Sequence, residues 1–99
     1  TPESTARRRL SQALIRTAAA AKEVGRLQDA LTLETEAIAL LDAATALDPK
    51  DVTVRFDLAT TRQNLAITHM RRGELAPARR AATAALALFK ATMAASPGS

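Results

Sequence analysis

Two stretches decide how this chain reads: "KEVGRLQDA" at residues 22–30 and "MRRGELAPA" at residues 70–78. Each carries a lone glycine, Gly25 or Gly73, followed two residues later by leucine and five residues later by alanine. Glycine enters the left-handed backbone region without a Cβ penalty, so each glycine marks the end of one helix and a tight turn into the next. The glycines lie 48 residues apart, and sliding the chain over itself by 48 also superposes Arg7 on Arg55, Leu10 on Leu58, Ala18 on Ala66, Leu27 on Leu75, Ala30 on Ala78 and Ala37 on Ala85. Self-similarity at a fixed period marks stacked supersecondary units. The expectation is one helical hairpin written twice.

Working outward from the glycines gives four helices. The first, from about Glu3 to Val24, places Leu10, Leu14, Thr17, Ala18 and Ala21 on one stripe, with Pro2 tolerated in the opening turn. A second, from about Leu27 to Leu47, turns Leu27, Ala30, Leu31, Ile38, Leu41 and Ala44 inward and keeps Asp29, Glu36 and Asp42 at polar positions. Asp48 and Pro49 end it, and Asp51 can cap the third helix by accepting from free backbone N–H groups. That third helix, about Val52 to Arg72, has two apolar stripes, Val54, Leu58, Thr61, Leu65 and Thr68 on one and Val52, Ala59, Ala66 and Met70 on the other. Two such faces predict a helix sandwiched between neighbours. The fourth, about Leu75 to Ala94, is expected to bury Leu75, Ala82, Leu86, Phe89 and Met93.

Short connections force chain neighbours to run antiparallel. The fold class expected is therefore all-α, an antiparallel four-helix array of two stacked helix-turn-helix hairpins. It forms one domain over residues 1–95, with repeats at about 3–47 and 51–94 and a disordered tail at 96–99.

Composition supports this and narrows the function. Apolar residues make up 47% of the chain, yet only Phe56 and Phe89 are aromatic, so the core must be built from Ala, Leu, Ile, Val and Met. Alanine favours helices whose axes approach closely. Without cysteine there is no disulfide, thiolate zinc site or thiol nucleophile. No apolar run approaches the roughly 20 residues of a membrane span and no leader pattern stands at the start, so a soluble, cytoplasmic protein is expected. Because two repeats are fewer than such arrays usually hold and Thr1 stands where an initiator methionine would, a piece of a longer protein is expected as well.

The stretch Ala59 to Thr92, "ATTRQNLAITHMRRGELAPARRAATAALALFKAT", resembles the tetratricopeptide repeat. Its "NLA" at Asn64 to Ala66 stands where that family has leucine followed by a small residue, and the turn at Gly73 to Leu75, Ala78 and Ala85 match too. A poorer match surrounds Gly25 to Leu31, with Ala30 and Ala37 in the same roles. The family's usual aromatics are replaced by Arg62 and His69, and the period is 48 rather than 34 residues. The junction "LDPKDVTVRFDLATT" at Leu47 to Thr61 is similar to that of long-period bacterial arrays, which are often joined to signalling enzymes. The resemblance implies a scaffold for proteins or peptides.

No chemistry competes with that implication. His69 is the only histidine and has no nucleophile to serve, and it shares a helix face with Arg55 and Arg62. Glu34, Glu36 and Asp42 lie on one helix with no histidine at ligand spacing. The glycines are isolated, so no phosphate loop exists. No catalytic, cofactor-binding or metal-binding residue is assigned, and a non-enzyme is expected.

Charge is divided unevenly among the segments. Residues 1–26 carry a net +4, residues 27–48 a net −5, residues 49–73 a net +3 and residues 74–99 a net +2. In the family resembled, the first helix of each hairpin lines a concave groove that grips a peptide, and here both such helices are basic. The resemblance therefore implies an acidic or C-terminal peptide as partner, with Arg16, Gln63, Asn64, Ile67 and Arg71 as contacts. The alternatives are that the basic third helix simply neutralises the acidic second one, or that the open ends of the stack pair two copies into a homodimer. Arg7, Arg8 and Arg9 invite a nucleic-acid reading, but the want of stacking aromatics and the acidic second helix oppose it.

Overall fold

The computed structural model describes residues 1–95, so the expected tail at 96–99 lies outside the described residues. Four helices occupy nearly all of it: α1 (Pro2–Glu23), α2 (Leu27–Leu47), α3 (Val52–Arg71) and α4 (Leu75–Ala94). Within these residues there is no strand. The helices pair as α1 with α2 and α3 with α4, and the two hairpins join mainly through α2 and α3, with a minor contact between α1 and α3. Of the three other helices, α4 packs against α3 alone. The chain is thus an open stack of two antiparallel hairpins, because a closed bundle would bring α4 back onto α1.

Both glycines end their helices in the same way. Gly25 has φ +79° and Gly73 φ +78°. At the first, Gly25 N–H donates to the Lys22 carbonyl and Arg26 N–H to the Ala21 carbonyl. At the second, Gly73 N–H donates to Met70 and Glu74 N–H to His69. This is the Schellman arrangement, formed twice at positions 48 apart, and it satisfies carbonyls that the helix end would otherwise orphan. Asp51 caps α3 as expected, its side chain accepting from Val54 N–H at 3.2 Å.

Within the hairpins the buried positions recur at intervals of seven. In the first they are Ser4, Ser11 and Ala18 on α1 and Ala30, Ala37 and Ala44 on α2. Shifted by 48 they become Val52, Ala59 and Ala66 on α3 and Ala78, Ala85 and Thr92 on α4, all buried except the half-buried Val52. A repeat of seven keeps one seam facing the partner helix, and small residues let the backbones approach. The hydroxyls on these seams are satisfied inside their own helices, Ser11 donating to the Arg8 carbonyl and Thr92 to that of Leu88.

Larger side chains gather between the hairpins. Leu41, Ala44, Val54 and Leu58 form the buried cluster, with Ile38 and Leu88 packed against it. Phe56 and Phe89 are half-buried rather than core, their rings meeting at 6.2 Å between centroids.

The predicted stripe Val54, Leu58, Thr61, Leu65 and Thr68 on α3 is buried or half-buried throughout, because α3 alone touches all three other helices. Three expectations need correction. On α1, Leu10 and Thr17 are exposed, and on α3 Met70 is exposed. On α4, Leu75, Ala82, Leu86 and Met93 all face solvent, and only Phe89 of the expected five is even half-buried. The physical reason is the same in the two outer helices: their contact surfaces are largely the small-residue seams, so Leu10, Leu75, Leu86 and Met93 fall on faces that no neighbour covers.

Candidate functional site

The α1–α3 surface is the site that both hairpins build together. A shallow groove of about 330 Å³ runs between these helices, lined by Gln12, Ile15 and Arg16 from α1 and by Asp57, Thr60, Thr61 and Asn64 from α3. Arg16 and Asn64 are themselves 48 residues apart, so one repeat position borders the groove from both sides. Among the expected contact residues, the structure brings these two together. Ile67 and Arg71 are exposed further along α3, on the stripe that continues from Thr60 and Asn64 at i+7 and i+11. Gln63 is exposed but does not line the groove.

Much of the basic charge expected at the groove is already matched. Arg8 Nε donates to Asp57 Oδ2 at 2.6 Å, tying α1 to α3 at the groove's end. Arg62 reaches Asp42 across the hairpin junction at 3.5 Å, the one ion pair between α3 and α2 among the described residues. Arg16 and Arg71 make no such pair there, which leaves them as the groove's available cations.

A larger, mostly apolar concavity of about 810 Å³ opens at the other end of the first hairpin, between Thr17, Ala20 and Ala21 of α1 and Asp29, Thr32 and Leu33 of α2, with Val24 and Arg26 at the turn. Its polar lining, Thr17, Arg26, Asp29 and Thr32, belongs to the first hairpin alone and includes none of the expected contact residues. The smaller α1–α3 groove, with an arginine, an amide and hydroxyls converging, is the better candidate.

The residue that sequence reasoning missed is Glu34. Its side chain is 1% exposed and lies where α1, α2 and α3 meet. Lys22 Nζ donates to Oε2 at 2.9 Å and the Thr68 hydroxyl to Oε1 at 2.6 Å. The same hydroxyl lies 3.1 Å from the Asn64 carbonyl, the longer of its two contacts. Glu34 stands between Ala30, Ala37 and Leu41 on the buried stripe of α2, and a carboxylate in that register was the available signal. Glu36, two residues on, is exposed.

His69 also sits differently from its expected cationic surroundings. Its Nδ1 is 3.0 Å from Glu74 Oε1, which accepts Arg72 Nε at 2.7 Å. A carboxylate only accepts, so Nδ1 carries the proton. The Arg72 hydrogen bond, followed by that of His69, holds the Glu74 carboxyl below its ordinary value. These groups brace the second Schellman turn and leave the histidine occupied.

Among the described residues no three His, Cys, Asp or Glu side chains converge as a metal site, and no helix is long and apolar enough to cross a membrane. Comparison with protein-family models, curated proteins and solved structures gave no match to this chain.

Proposed function

We propose that the chain is a non-catalytic interaction module of tetratricopeptide-like build, which holds an acidic peptide along the groove between α1 and α3. The observation that carries the reading is the pairing of equivalent positions across the groove: Arg16 borders it from α1 and Asn64 from α3, and Arg16 has no carboxylate partner there. An arginine fork grips a carboxylate in two hydrogen bonds, and an asparagine amide can both donate to and accept from a peptide backbone. Ile67 and Arg71 extend the same stripe and supply an apolar and a second basic contact.

The test is a fluorescence-anisotropy titration of labelled acidic peptides with free C-termini, with basic peptides as controls. Binding of the acidic set should weaken about tenfold or more when Arg16 is replaced by alanine, as expected for a lost charged hydrogen bond of roughly 1.5–3 kcal/mol. Equal affinity for the two peptide sets, or none for either, rules the groove out.

A further inference from the structure

The two ends of the stack carry the surfaces that, inside the molecule, join one hairpin to the next. The internal junction uses Glu34, Ile38, Leu41 and Thr45 of α2 and Val54, Leu58, Thr61 and Thr68 of α3, all buried or half-buried. Adding 48 to the α2 set gives Ala82, Leu86, Phe89 and Met93 on α4, which except for the half-buried Phe89 are exposed, Leu86 by 54%. Subtracting 48 from the α3 set gives Ala6, Leu10, Ala13 and Ala20 on α1, every one exposed, with Leu10 at 52% against 4% for Leu58. Both end faces have kept apolar side chains where nothing covers them.

We infer that a second copy of this chain docks head to tail, its α1 seated on α4 as α3 is seated on α2. Under that operation Leu86 meets Leu10 of the second copy as Ile38 meets the Val54 and Leu58 cluster. The polar contact of Glu34 with Thr68 becomes a contact of Ala82 with Ala20, small against small, which leaves no buried carboxylate to satisfy. The Arg62–Asp42 pair becomes Leu14 beside Lys90, whose aliphatic stem can lie along the leucine. The Arg8–Asp57 pair becomes Phe56 beside Arg9, a cation at the edge of the contact with no carboxylate opposite it. The contact is heterologous, so the pair keeps one free face of each kind and growth does not close at two.

This assembly bears on the groove, and its consequence there rests on the reading given above. The second copy's α1 lies beside the first copy's α3 as α3 lies beside α1. Arg16 of the added copy then follows Arg16 and Asn64 from helix to helix across one continuous surface.

Exposed leucines can be replaced without touching the core, so Leu10→Glu and Leu86→Glu each disable one face and leave the fold to be checked by circular dichroism. Light scattering of the wild-type chain at up to millimolar concentration should show a mass that keeps rising past two copies. Each variant alone should be monomeric, and an equimolar mixture should give a one-to-one dimer, because each retains the face the other lacks. Added salt should strengthen association, since both end helices are basic. A wild-type chain that stays monomeric, a Leu10→Glu variant that still dimerises through α4 alone, or a mixture that stays monomeric each overturns the inference. Peptide binding measured on the monomeric Leu86→Glu variant judges the groove independently.

Discussion

The Thr68 hydroxyl and the Glu34 carboxylate, 34 residues apart in sequence, meet at 2.6 Å in the interior where three helices converge. With Lys22 completing the contact from α1, a single buried side chain links both hairpins. Removing one partner of a buried ion pair strands the other charge, at a cost of about 3–5 kcal/mol, whereas replacing both by apolar groups is often nearly neutral. Lys22→Met should therefore destabilise the chain by about that much, and Lys22→Met combined with Glu34→Leu should recover most of the loss. Urea denaturation of the two variants decides it. Equal losses would mean that the pair contributes only through its packing.

The contrast between Glu34 and the glycines shows what the sequence makes readable. Gly25, Gly73 and Asp51 act within a few residues of themselves, so helix ends fell within one residue of the structure and two of the four helices agree at both ends. The buried face of α3 was readable because neighbours on both sides force a wide apolar surface. On α4 the assumption that the largest side chains point inward failed, since the seam is Ala78, Ala85 and Thr92 and the leucines lie elsewhere. Glu34 depends on Lys22 and Thr68, partners that no local pattern could pair with it. At the groove, the 48-residue shift links Arg16 with Asn64, while the loss of Arg8 to Asp57 is visible only in three dimensions.

Gly25→Ala and Gly73→Ala should cost nearly the same. A Cβ added at either glycine meets nothing within 4 Å, so the penalty is purely one of backbone conformation. Holding an L-residue in the left-handed region costs roughly 1–2 kcal/mol. For a chain of this size each kcal/mol lowers Tm by roughly 4–8 °C. Thermal melts of both variants should therefore fall together. A large loss at one site with none at the other would show that the two turns are not mechanically equivalent.

Glu74 gives the second turn an acid dependence that the first lacks, because Arg26 occupies the equivalent position. Its carboxyl is held below the ordinary 4.5 by the hydrogen bonds of Arg72 and then His69. The unfolded chain therefore binds that proton more readily than the folded one, so the contribution is present above the ordinary value and is lost as pH falls through the depressed folded value. Glu74→Gln should lower the urea midpoint at neutral pH, and the difference from wild type should shrink as the solution is acidified. A difference that is constant with pH would assign the effect to the shape of the side chain rather than its charge.

Asp57 offers a way to tune the proposed groove without disturbing the core. Its partner Arg8 is about one-third exposed, so the pair contributes only about 0–1 kcal/mol to stability and Asp57→Asn should leave the chain folded. The substitution removes a negative charge from the groove wall and releases the Arg8 guanidinium toward whatever lies in it. Acidic peptides should then bind several-fold more tightly, with the gain fading as salt shortens the range of the field. Basic peptides should show no gain. If acidic peptides bind Asp57→Asn no better than wild type at low salt, the groove's electrostatics do not select the ligand, and the Arg8–Asp57 pair serves only to hold α1 against α3.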